Sequence, residues 1–106
     1  MSREVFVTED ATRDLYGIFD YIADHDSPAK ARDVLGGLEG VIAALADFPE
    51  RGDYPKELVR VGIRDYREVH FKPYRIVYRV LGADVYVYLV ADGRREMQAL
   101  LIRRLL

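Results

Sequence analysis

The spacing of apolar residues changes period once along this chain, and that change constrains the fold more than any other feature. From Thr8 to Leu45 the apolar positions recur every three or four residues, whereas from Tyr66 to Ala91 they alternate. A helical half followed by a stranded half is the pattern of an α+β fold. The segment between them, residues 49–56, holds two prolines and a glycine in eight positions and reads as the one clear loop.

Within that frame, Glu4 to Val7 reads as a short first strand. Thr8 stands where an N-cap belongs, and Glu9 and Asp10 place negative charge in the first turn of the helix that follows. Ala11, Leu15, Ile18, Phe19 and Ile22 form its apolar stripe, which ends near His25. Ser27-Pro28 opens a second helix, striped by Ala31, Val34, Leu35, Leu38, Ile42 and Leu45. Gly36, Gly37 and Gly40 interrupt it at a cost of up to ~1 kcal/mol each against alanine. They fit either close approach of the first helix or exposed positions where nothing is packed.

Tyr66–Phe71, Tyr74–Leu81 and Asp84–Ala91 are rich in Val, Ile and Tyr and read as strands, joined through Lys72-Pro73 and Gly82-Ala83 at hairpin length. Leu58–Arg64 is expected to be an extended arm entering the sheet. Met97, Leu100, Leu101 and Leu105 form a last helical stripe, with Arg103 and Arg104 expected to project outward. The expected order is β-α-α-β-β-β-α over residues 1–106 as a single domain, a helical hairpin packed on an antiparallel sheet.

Composition excludes several classes. Half the residues are hydrophobic and 32% are charged, a globular balance. The chain has no cysteine and only His25 and His70, which removes thiolate chemistry and leaves no ligand set for a catalytic zinc. No glycine-rich phosphate loop follows a strand. Met1-Ser2-Arg3-Glu4 opens no apolar stretch of leader length, and no apolar run reaches the ~18 residues of a membrane span. A cytoplasmic protein needing no metal or cofactor, with no membrane partner, is expected. The net charge of −2 hides a split: residues 1–54 carry 12 acids against 5 bases, and residues 55–106 carry 6 against 11. Such charges pair across the layers, solvate them, or meet a charged partner.

Arginine stands out in the second half, at Arg67, Arg75, Arg79, Arg94 and Arg95. Its fixed fork of donors suits phosphates and carboxylates. Alternation puts Arg75, Val77 and Arg79 on one face of their strand. That face is either a cationic strip away from the helices or a solvated face with cross-strand pairs to Glu68 or Asp84. His70 is a general acid or base or a structural strand histidine. Tyr86 and Tyr88 share a face opposite Val85, Val87 and Leu89, and either stack on a partner or pack.

The chain resembles the RelE/ParE superfamily of toxins from bacterial type II toxin–antitoxin modules. The likeness is carried by Asp20-Tyr21-Ile22, Ser27-Pro28-Ala29-Lys30-Ala31 and Pro49-Glu50-Arg51-Gly52. It continues through Arg67-Glu68, the run from Lys72 to Arg79, and Ala91-Asp92-Gly93-Arg94-Arg95-Glu96-Met97. The resemblance implies one of two mechanisms. RelE-like members enter the ribosome and cleave mRNA with basic residues and a helix tyrosine, which would place roles on Arg67, His70, Arg75 and Arg95. ParE-like members are linked to poisoning of DNA gyrase and need no nuclease residues. The helix tyrosine falls at Leu101, and residues 93–106 hold no tyrosine, histidine or lysine. RNA cleavage needs proton transfer together with charge neutralisation. The expectation is therefore a ParE-like toxin with a cognate antitoxin and gyrase as partners. The ribosome and mRNA are the alternative, and a member that only binds its antitoxin is a third reading. Arg75, Arg79, Arg94, Arg95, Tyr86 and Tyr88 would form the binding surface.

Overall fold

The computed structural model describes residues 3–106, so the first two residues of the stretch read for a leader lie outside it. Strand β1 (Val5–Val7) leads into helices α1 (Glu9–His25) and α2 (Pro28–Ala44). A short helix α3 (Lys56–Val59) precedes strands β2 (Arg67–Phe71), β3 (Tyr74–Leu81) and β4 (Asp84–Asp92), and helix α4 (Met97–Leu105) ends the fold. Both expected caps are in place: the Thr8 hydroxyl accepts from the Ala11 N–H, and Ser27 accepts from the Lys30 N–H.

The four strands lie in the order β1-β4-β3-β2. β2, β3 and β4 are antiparallel, as hairpin-length connections require, and β1 runs parallel beside β4. The α1–α2 hairpin is the crossover that a parallel neighbour needs, so the sheet is mixed at this one edge.

Each face of the sheet carries its own core. On one face, Ile76, Tyr78, Val85, Val87 and Val90 meet Ala11, Leu38, Ile42 and Leu45 of the hairpin region. On the other, Val77, Leu89 and Ala91 meet Leu58 of α3 and Met97, Leu100 and Leu101 of α4. The second core corrects two expectations. Leu58–Arg64 is not an extended arm: it begins inside α3, where Leu58 is fully buried, and a turn follows. The face bearing Arg75, Val77 and Arg79 is not open to solvent either, because α3 and α4 cover its centre and Val77 is fully buried.

A bulge in β4 produces a third correction. Tyr78 opposes Val87 and Val77 opposes Leu89, so Tyr88 has no partner across the ladder. The extra residue shifts the alternation, and Leu89 turns to the α4 side instead of joining Val85 and Val87. Beyond Val7, where β1 stops, this part of β4 has an open edge. Asp14 of α1 accepts from the Val90 N–H at 3.0 Å, while Arg104 of α4 donates to the Tyr88 carbonyl at 3.1 Å and to the Asp14 carboxylate at 2.8 Å. Arg104 thus turns inward, and its pairing with Asp14 raises its pKa.

The glycines of α2 also separate. A Cβ on Gly37 would collide with the Phe71 ring of β2, whereas Gly36 and Gly40 face open space. The close approach is to a strand, not to the first helix. Replacing Gly36 or Gly40 by alanine should stabilise the fold by about 0.5–1 kcal/mol in urea unfolding. Gly37→Ala should fall below the parent, since overpacking costs about 1–3 kcal/mol.

Candidate functional site

The arginine on which a phosphate-handling reading depends faces inward. The Arg75 guanidinium forms a two-pronged bond with Glu57 of α3, at 2.8 Å and 2.7 Å, and its Nε donates to Glu68 of β2 at 2.7 Å. Its side chain is only 11% exposed, and both acids are buried. All three of its donor nitrogens are thereby engaged. The hydrogen bonds from Arg75 outweigh burial and hold the Glu57 carboxyl down at about 2, and the same pairing raises Arg75 itself. Glu68 sits in register beside Val77, two residues from the His70–Arg75 pair. The half-exposed His70 ring lies 3.4 Å from the other oxygen of Glu68. Gly93 completes the arrangement: a Cβ there would press on the Arg75 stem at 2.9 Å, so the turn after β4 rests directly on this arginine.

Arg67 is likewise occupied. It donates to the Gly52 carbonyl at 2.9 Å and to the Glu50 carbonyl at 3.3 Å, and lies 4.7 Å from the centre of the Tyr54 ring. Tyr78 holds the same loop from below, donating to the Pro49 carbonyl and accepting from the Gly52 N–H; its burial raises its pKa. These two residues pin the proline-rich loop that leads into α3.

The other expected residues divide between two places. Arg79 pairs with Asp65 at 3.4 Å and lies over Tyr66 on the outer sheet face. Tyr88 packs edge-on against Tyr66, and Tyr86 stacks on the 40%-exposed Phe6 at 5.2 Å. The Arg94 fork closes on Asp92, whose carboxyl it holds below the usual range. Arg95 is exposed, and its side chain makes no hydrogen bond or ion pair among the described residues. It lines a cleft of about 600 Å³ between α1 and the end of β4. A second cleft of about 520 Å³, lined by Lys30 and Lys72, shares Tyr21, Ile22 and Tyr74 with the first. Together they make one groove along the hairpin. Tyr21, 64% exposed and stacked on His25, stands over it. The expected set therefore does not converge: Arg75 and Arg67 are structural, Arg79 with Tyr86 and Tyr88 lies on the outer sheet face, and Arg95 alone offers a free fork to the groove.

Sequence reasoning missed Glu57, Asp14 and the groove residues Tyr21 and Tyr74. Glu57 gives no local sign, since it stands between the loop of residues 49–56 and the arm expected from Leu58. Glu68, a cross-strand partner for the arginines by its position in the sequence, takes that role with Arg75.

The family model for the ParE toxin of type II toxin–antitoxin systems matches residues 5–97. The chain is 30% identical over 95 residues to Toxin ParE3 of Caulobacter vibrioides, covering 90% of this chain and 91% of that protein. Among solved structures, it matches the chromosomal ParDE toxin–antitoxin system of P. aeruginosa with a TM-score of 0.72 at 17% identity, over 86% of this chain and 96% of that one. It also matches a free-state arginine-to-alanine double mutant of the E. coli toxin RelE, with a TM-score of 0.66 at 18% identity over the whole of both chains. The chain belongs to the ParE toxin family of type II toxin–antitoxin systems.

The buried ion cluster predicts an acid transition. The Glu57 pKa is depressed on folding, so its stabilising share is complete above the ordinary value of 4.5 and is lost as pH falls toward about 2. That share amounts to about 3 kcal/mol. Unfolding followed across this window should show the loss, and Glu57→Gln should be less stable at neutral pH with a flatter profile below pH 4.5.

Proposed function

We propose that this chain, acting as a single domain in the cytoplasm, inhibits growth by binding DNA gyrase and is neutralised by a cognate antitoxin. The inward engagement of Arg75 is the observation that carries the reading. Nuclease action would require a guanidinium free to meet a phosphate as charge develops on it. Here Arg75 already satisfies two buried carboxylates, and releasing it would leave both uncompensated. Arg67 is committed to a loop. The segment after Gly93 offers no tyrosine, histidine or lysine to take a proton. A toxin that works by occupying a surface needs none of these.

The groove between α1 and the sheet end supports antitoxin binding. Its walls combine exposed Tyr21, apolar Ile22 and Val90, and the free Arg95. An amphipathic segment with acidic residues matches that chemistry, with its apolar side on the hairpin and a carboxylate on Arg95. Arg75 has no part in this contact, and Arg94 must first leave Asp92.

Two assays decide the target. Supercoiling and DNA cleavage by purified gyrase should respond to the toxin, while mRNA in purified translating ribosomes should stay intact. Site-specific mRNA cuts with unaffected gyrase would establish the RelE-like alternative instead, and neither effect would leave an antitoxin-binding protein. For the antitoxin, Arg95→Glu should weaken binding at least tenfold at low salt, chiefly by slowing association, and Arg94→Ala should change it less. Equal affinities for the parent and Arg95→Glu proteins would exclude the groove contact.

A further inference from the structure

The edges of the sheet are covered in part and left open along β1. On the β2 side, Asp53 and Glu68 exchange both backbone hydrogen bonds, at 3.1 Å and 2.7 Å. On the β4 side, Asp14 and Arg104 take the groups left open past the end of β1. At β1, the Glu4 carbonyl and Thr8 N–H bond inward to β4. By the alternation of the strand, the N–H and C=O groups of Val5 and Val7 therefore point outward, and no described group meets them. The strand carries no charge or proline from Val5 to Thr8, the usual means of keeping an edge from pairing.

We propose that this edge pairs with the same edge of a second copy of the chain, joining two sheets into one. A two-fold axis through Phe6 makes the edge self-complementary. Antiparallel pairing then sets Val5 opposite Val7 of the second copy, in the register where both residues exchange their N–H and C=O groups. The valines lie on the helical side, beside an apolar groove of about 530 Å³ between β1 and the hairpin, lined by Leu15, Tyr16 and Ile42. On the other side, Phe6 meets Phe6 at the close, non-hydrogen-bonded position, and the Phe6–Tyr86 stack of each chain continues into the other.

The absence of cysteine makes the test direct. Sedimentation of the parent protein should give a mass rising from one chain toward two with concentration. In Phe6→Cys the two sulfurs lie across the axis within disulfide reach, so mild oxidation should yield covalent dimer. Phe48→Cys, at an exposed position outside the strand, should give far less. A parent protein monomeric at every concentration overturns the proposal. So does a dimer in which Phe6→Cys cross-links no better than Phe48→Cys. Amides of Val5 and Val7 protected from hydrogen exchange only when antitoxin is present would assign the edge to that partner and overturn pairing between copies.

Discussion

The bond between Arg75 and its two buried carboxylates ties together three separate parts of the chain. Glu57 comes from α3, Glu68 from β2 and Arg75 from β3, and Gly93 lays the turn before α4 against the arginine stem. A charge this far from water persists only if its donors are satisfied, and here the geometry satisfies them. Removing one partner would leave an uncompensated buried charge where α3 meets the sheet. The second core, which depends on both helices, rests on this cluster.

A similar economy governs the sheet edge at β4. The bulge at Tyr88 turns Leu89 toward α4 and leaves backbone groups unpaired where β1 has ended. One carboxylate, Asp14, accepts from the β4 backbone and from Arg104, so α1, β4 and α4 meet at a single charged pair. The acidic first half and basic second half of the sequence therefore meet, among the described residues, in one internal ion pair. Asp14–Arg104 and Glu57–Arg75 differ in that only the first crosses the division at residue 54.

Much of the fold is legible in the sequence because caps and periods are local signals. Thr8 and Ser27 mark helix starts by the hydroxyl each supplies, and strand β3 stands where alternation puts it. What escapes is set by distance. Nothing local near Leu58 announces a buried turn of helix, because its burial depends on α4, about forty residues away. The alternation of Arg75 and Arg79 on one face is right, yet the face is covered at Arg75 and open only toward Arg79. The candidate site was legible as residue types but not as geometry. Arg95 keeps a free fork because Asp92 is taken by Arg94, and which of two adjacent arginines would pair is not written in their order.

The distinction between a structural Arg75 and an available one is the central claim, and it bears directly on how this toxin works. Nitrogen-resolved NMR of the arginine side chains reads it without altering the protein. With all three donors bonded to buried carboxylates, the Arg75 Nε and Nη protons should exchange with water far more slowly than those of the exposed Arg95. Arg75 protons exchanging as fast as those of Arg95 would contradict the account, because the guanidinium would then be free for chemistry.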